Sequence, residues 1–401
     1  MNAIADPVKM LDVAAMRSTL DTLASEHGSQ IAKLRPAIVA HLKTVLETAR
    51  SKAERRLLAD GRGTRCAETL SFVEDGIIHA LFDLANTKLF PSPRPDAAER
   101  ISVVAVGGYG RGTLAPGSDI DLLFVLPAKQ SQRMRNIAEF ILYSLWDARQ
   151  KVGHATRSVD ECIRLAKTDS TILTAILEAR YICGDAPLFE DLVKQFRRNI
   201  VAKGAREFVK GKLAERDLRH HKAGESRYLV EPDVKDGKGG QRDLNTLFWI
   251  AKFLYATNSP DELAEKGAFA RDELAIFKKC ENFLWAVRCH LHFLSKRPND
   301  RLSFDRQSDI AERLGYKSRG GLKHVERFMK HYFLVARNVG SLTRVLCASL
   351  EAQQMKEAPS LSRMLGRFRL KSSGSLANAP AFRLEGGRVV LKSPDAFERD
   401  P

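Results

Sequence analysis

Asp119 and Asp121 follow a glycine-rich turn and open an apolar run, and this is where the chain's chemistry is most concentrated. The stretch Ile101 to Pro127 reads ISVVAVGGYGRGTLAPGSDIDLLFVLP. One apolar segment, Val103 to Val106, stops at Gly107-Gly108, and a second, Leu122 to Leu126, follows the aspartates. Strand side chains alternate, so carboxylates two positions apart share a face. Two carboxylates on one face of a buried strand are costly unless a cation neutralises them. A pair of divalent ions bridging a nucleoside triphosphate would do so. Asp119 and Asp121 are therefore read as the catalytic carboxylates and Mg²⁺ ligands of a nucleotidyl transfer. Gly107 and Gly108 would let the backbone approach phosphate oxygens. Ser118 would help hold the triphosphate or cap the strand entry, and Arg111 in the turn is a further phosphate contact.

A second block, KDGKGGQRD from Lys235 to Asp243, places Lys235, Lys238 and Arg242 around Gly239-Gly240 just before a helical pattern, Leu244 to Tyr255. Free amides at a helix start, with Lys and Arg beside them, make a phosphate clamp. It would complete the triphosphate site across a cleft or steady the pyrophosphate leaving group. Other polar residues read as structural. His220-His221 lies in a charged helix and is expected at the surface. Asp300, Arg301, Asp305 and Arg327 are expected to form ion pairs between helices. Trp146, Trp249 and Trp285 sit among apolar neighbours at helical spacing and are expected in the core.

These motifs need elements to hold them. The chain has 401 residues, 44% of them hydrophobic, enough for two or three domains. Met1 to Leu89 reads as helical, with apolar residues three and four apart from Ile31 to Leu58. Pro91 to Arg100 is a Pro-rich linker. Strand, Gly turn and aspartate strand follow, then a helix over Met134 to Asp147, a short strand in Lys151 to Val159 and a helix from Ser170 to Leu177. Helical patterns dominate Leu188 to Leu350, interrupted at Val230 to Gln241. AFRLEGGRVVLK predicts a hairpin turning at Gly386-Gly387. No apolar run reaches membrane-spanning length, and no secretory signal opens the chain. Six scattered Cys without CxxC spacing point to reduced thiols in a cytoplasm. The net charge of +16 permits nucleic acid, nucleotide phosphates or an acidic protein as partner, without choosing among them.

The order GG, then SDxD and four apolar residues, resembles the nucleotidyltransferase superfamily of DNA polymerase β type. The fuller string GGYGRGTLAPGSDIDLLF is similar to the bacterial PII uridylyltransferase/uridylyl-removing enzymes. So are VEPDVKDGKGGQRDLNTLFWIAKFLY (Val230 to Tyr255), RPNDRLSFDRQSDIAERLGY (Arg297 to Tyr316) and HVERFMKHYFLVARNVGSLT (His324 to Thr343), in the family's order. The resemblance implies an α+β fold: a small mixed-sheet nucleotidyltransferase domain (91–187) flanked by N-terminal helices (1–90) and a larger helical domain (188–354), then a linker with the hairpin (355–401). It implies a cytoplasmic, Mg²⁺-dependent transfer of UMP from UTP to a tyrosine of the PII nitrogen-signalling protein. It also implies the transferase half alone, without the family's His-Asp phosphohydrolase and ACT domains. Nucleic acid and membrane are not expected partners. Many superfamily members carry a third carboxylate on a later strand. The matching strand here, KVGHATR, offers His154 and Arg157 but no acid. Either two aspartates suffice, or Asp160 or Asp169 reaches in. His154 itself reads as a packing residue. Adenylylation of glutamine synthetase, nucleotide addition to RNA and an inactive nucleotide-binding regulator stay open as alternatives.

Overall fold

Apolar residues every third or fourth position draw the N-terminal chain into three packed helices, α1 (Val13–His27), α2 (Ile31–Asp60) and α3 (Gly63–Leu84). Along α2, Leu34, Ile38, Leu42, Leu46, Ala49, Ala53 and Leu57 make one buried stripe. Helix α3 is buried over most of its circumference. A π-helical turn, Ala85–Leu89, ends this region. The computed structural model describes residues 10–28, 30–92, 99–224, 226–257, 259–266, 269–295, 297–357, 382–385 and 388–391. Most of the Pro-rich linker therefore lies outside the described residues.

The sheet follows: β1 (Ser102–Ala105), the single turn α4 (Gly107–Gly110), β2 (Ile120–Val125), α5 (Gln132–Asp147), β3 (Val152–Arg157), α6 (Val159–Ala166), α7 (Ser170–Leu177) and β4 (Arg180–Gly184). The strands run in the order β3-β2-β1-β4. β1 is antiparallel to both β2 and β4, and β2 is parallel to β3. β1 and the apolar part of β2 are buried, as their continuous hydrophobic runs demand. Ser158 and Glu161 close a capping box that starts α6 directly after β3.

Helices α8 (Ala186–Phe196), α9 (Ala205–Lys222), α10 (Gln241–Tyr255), α11 (Glu262–Glu265), α12 (Arg271–Ser295), α13 (Phe304–Arg313) and α14 (His324–Glu357) complete the helical part. α12 packs against α3, where Thr64 donates its hydroxyl to Asn282 at 3.1 Å. Arg313 at the end of α13 pairs with Glu54 of α2 at 2.6 Å. The described residues through Leu346 form one compact unit, and those from Cys347 onward a second. The fold is thus α+β, with a small mixed sheet among helices. The second unit contains the hairpin strands β5 (Phe382–Glu385) and β6 (Arg388–Leu391), paired antiparallel with Glu385 opposite Arg388. The expected turn at Gly386-Gly387 lies outside the described residues. Among the described residues no helix is long and apolar enough to cross a membrane.

Three expectations about side chains are corrected. Trp146, at the end of α5, is not core: it is 39% exposed, and its Nε1–H donates to the carbonyl of Val152 at the start of β3. His220 is not a free surface residue: its Nε2 lies 2.9 Å from both carboxylate oxygens of buried Asp243. Of the third-block charges, Asp300 pairs with Arg288 and His292 and Arg301 with Glu231, whereas Asp305 pairs with its neighbour Arg306 and Arg327 donates to the Lys317 carbonyl rather than to an acid.

Candidate active site

Asp121 sits in β2 directly opposite Gly153 of the parallel strand β3. Its carboxylate lies between two glycines. A Cβ on Gly153 would stand 2.6 Å from Oδ1, and one on Gly107 would stand 3.2 Å from Oδ2. Gly107 also has φ +57°, a conformation that side chains resist. The two residues together form a slot that only glycine leaves open. The Val106 amide bonds to the Asp121 carbonyl at 3.0 Å, which fixes the turn to the strand. Asp119 precedes β2 and is exposed. Burial pushes the Asp121 carboxyl up, and the Asp119 charge adds to the rise; Lys235 and Arg111 oppose it. These four charged groups are therefore electrostatic neighbours.

Beside Asp121 opens a cavity of about 420 Å³, lined among others by Gly107, Gly108, Arg111, Arg157, Lys212, Arg242 and Trp249. Three cations surround the Trp249 indole: Lys212 at 5.2 Å from its ring centre, Arg111 at 5.8 Å and Arg242 at 6.0 Å. Such placements are favourable on an aromatic face. The Trp249 Nε1–H is buried and finds no partner among the described residues. Each cation is also paired with a carboxylate. Arg111 bonds to the fully buried Glu178 at 3.0 Å, which Lys252 approaches at 3.6 Å. Lys212 pairs with Glu215 at 2.7 Å and Arg242 with Asp236 at 3.0 Å. The arrangement sets the Asp121 carboxylate on one side of the cavity and cations that could take an anion around the rest.

The expected site residues divide between this cavity and its surroundings. Gly107, Gly108, Arg111, Asp121 and Arg242 line it; it does not reach Ser118, Asp119, Lys235, Lys238, Gly239 or Gly240. The Ser118 hydroxyl accepts the Ala115 amide at 3.1 Å and so closes its own turn. Burial, with Arg288 and Arg242 nearby, pushes the Lys235 ammonium down from the ordinary lysine range. The Gly239 amide donates to Asp243 at 2.8 Å and the Gly240 amide to the Gly237 carbonyl at 2.9 Å, so both are already spent inside the turn. Burial alone would raise the Asp243 carboxyl. Bonds from His220 and Gly239, with the Arg219 charge, outweigh it and hold the group below the usual range.

Strand geometry answers the question of a third carboxylate. Gly153, Ala155 and Arg157 of β3 share the face of Asp121, and none is an acid. His154 is on the other face, edge-on to Trp146 with ring centres 5.5 Å apart. Asp169 caps α7 by accepting the Thr171 and Ile172 amides. Asp160 is exposed in the first turn of α6. Among the described residues no group of three or more His, Cys, Asp or Glu side chains could hold a metal unaided. Asp121 in its glycine slot, with Asp119 as its electrostatic neighbour, is a donor set that fits Mg²⁺, which takes one or two carboxylates and completes its shell with phosphates and water.

Several contributing residues escaped the sequence. Lys212 and Glu178 belong to no local motif, and Trp249 looked like core because it is in fact buried. Gly153 did leave a signal, since an isolated glycine inside a strand marks a close approach.

The chain resembles known proteins along nearly its whole length. A family model described as "Nucleotidyltransferase domain" matches residues 94–181, and one described as "GlnD PII-uridylyltransferase" matches residues 207–347. A bifunctional uridylyltransferase/uridylyl-removing enzyme of Rhodopseudomonas palustris is 52% identical over 391 residues, 97% of this chain and 42% of the relative. Enzymes of the same name in Bradyrhizobium sp. (strain BTAi1) and Bradyrhizobium diazoefficiens are 54% and 53% identical, again over 97% of this chain and 42% of each relative. By sequence, the chain is similar to this uridylyltransferase family over nearly all of its own length. It spans less than half the length of those relatives. The nucleotidyltransferase match contains the glycine turn and both aspartates, and the uridylyltransferase match contains Lys212, Arg242 and Trp249. The cavity lies where the two matched segments meet.

Proposed function

We propose that this chain transfers UMP from UTP to a tyrosine hydroxyl of a PII signalling protein and releases pyrophosphate. Asp121 in its glycine slot, facing a cavity lined by cations, is the observation that carries the reading. Asp119 and Asp121 would hold Mg²⁺, which supplies charge neutralisation at the α-phosphate. Arg111, Lys212 and Arg242 would take the triphosphate oxygens, with Lys235 beside the carboxylates. Cations fixed where charge develops are usually the largest catalytic contribution. Lys212 and Arg242 pair with half-exposed carboxylates, which a triphosphate would displace at little cost. The family description supports UTP and PII as substrates.

The test is to incubate the purified chain with Mg²⁺, a PII protein and each of the four nucleoside triphosphates, then weigh the PII protein intact. The expected result is a UMP-sized gain from UTP, absent in Asp119→Asn/Asp121→Asn. A gain from ATP alone would point to an adenylyltransferase. No gain with any nucleotide would overturn the proposal for this chain.

A further inference from the structure

We infer that His292 and Asp300 are positioning residues that hold the metal-binding carboxylates at a fixed distance from the Lys235–Arg242 loop; this rests on the nucleotidyl-transfer reading of the site. The loop that delivers Asp119 is clamped at Gly117. The Gly117 amide donates to His292 Nδ1 at 3.1 Å. A Cβ on Gly117 would stand 3.0 Å from the Pro298 nitrogen and 3.3 Å from His292 Nδ1, so loop and helix region touch backbone to ring. His292, on α12, is buried. Because Nδ1 accepts a backbone N–H, the ring hydrogen is on Nε2, which donates to Asp300 Oδ1 at 2.9 Å.

Asp300 then branches. Its carboxylate takes Arg288 Nε at 2.7 Å, and Arg288 Nη1 donates to Gln241 Oε1 at 3.2 Å. Its backbone carbonyl takes the Val234 amide at 2.8 Å. Val234 and Gln241 bond to each other at 2.9 Å, and Lys235 and Arg242 at 2.8 Å. A continuous set of bonds therefore runs from Gly117, two residues before Asp119, to both ends of the loop that carries Lys235 and Arg242. Of its members only Arg242 lines the cavity. Their role is to set where the two halves of the site stand. Bonds of this kind around a metal site are typically worth about 10- to 100-fold in metal affinity or activity.

Three substitutions separate the two ends of the relay. His292→Ala removes both bonds. His292→Asn keeps an acceptor near the Nδ1 position for Gly117 and gives up Asp300. His292→Gln keeps a donor near the Nε2 position for Asp300 and gives up Gly117. Three readouts are compared with the thermal melt: amide exchange over residues 114–121 and 234–242, Mn²⁺ affinity in the presence of UTP by electron paramagnetic resonance, and UMP transfer at varied Mg²⁺. In His292→Ala, exchange should quicken in both segments. Mn²⁺ affinity should fall by about 10- to 100-fold, and the half-saturating Mg²⁺ should rise in proportion. His292→Asn should recover protection at Gly117, and His292→Gln should not. A folded His292→Ala protein with parent-like exchange in both segments and parent-like Mn²⁺ affinity would overturn the inference. So would losses that follow only the fraction of unfolded protein. If His292→Ala does not fold, the contrast between Asn and Gln decides. Should the parent chain neither bind Mn²⁺ with UTP nor transfer UMP, the functional reading fails, while the exchange data still judge the relay.

Discussion

The two walls of the cavity are built by different means. On the sheet side, Gly107, Gly108 and Asp121 come from one strand–turn–strand segment and are placed by backbone pairing, Asp121 against Gly153 and Val106 against Asp121, with Asp119 just outside the cavity. On the helical side, Lys212 comes from α9 and Arg242 and Trp249 from α10, and they are placed by packing and ion pairs. The cations differ in turn. Arg111 is tied to Glu178, which is fully buried and also neighbours Lys252. Lys212 and Arg242 hold partners that are 48% and 44% exposed. The carboxylates and Arg111 thus belong to a fixed frame, whereas Lys212 and Arg242 can exchange a protein carboxylate for a phosphate.

That contrast can be broken at several points. The largest effect is expected from Asp119→Asn/Asp121→Asn, which should reduce UMP transfer by on the order of 10³-fold or more while the melting temperature holds or rises. Glu178→Gln should act on the frame. It strands Arg111 and Lys252 without their counter-charge and should cost about 3 kcal/mol in denaturant unfolding, whereas Glu215→Gln should stay within about 0.5 kcal/mol. Equal costs would erase the distinction between fixed and exchangeable cations. Gly153→Ala puts a methyl into the Asp121 slot and should lower kcat by about 10²-fold, since small misplacements of reacting groups are that costly. Lys212→Met should lower kcat/KM for UTP by about 10-fold, the cost of a lost charge-assisted contact.

The effect least tied to the cavity concerns His290 on α12, which does not line it. Burial pushes its ring down from 6.5 to about 4, and both ring nitrogens lack partners among the described residues. Its folded value lies below the unfolded one, so the unfolded chain takes up the proton first. Stability should therefore fall as the pH drops from about 6.5 toward about 4, by about 1 kcal/mol per pH unit near pH 5. His290→Leu should remove that part of the decline in melting temperature.

The same contrast explains what could be read from the sequence. The glycine turn and the aspartate pair are local, so spacing and alternation revealed them together with the helices on either side. Lys212 and His292 are distant in sequence from everything they serve. Only the packing of α9, α10 and α12 gives them a role, and no periodicity announces it. Trp249 satisfied the expectation of burial and still lines the cavity, with three cations gathered around its ring. Gly239 and Gly240 looked like a phosphate loop. Their amides are instead consumed by Asp243 and Gly237, which hold the start of α10 in place.

The most direct test of the two-walled site is a crystal of the chain with Mn²⁺ and a UTP analogue that cannot be cleaved between its α- and β-phosphates, read by the anomalous signal of the metal. Manganese on the carboxylates of Asp119 and Asp121, with the triphosphate between Gly107-Gly108 and the cations Arg111, Lys212 and Arg242, is the predicted result. Manganese elsewhere, or a triphosphate bound away from that cavity, would contradict it.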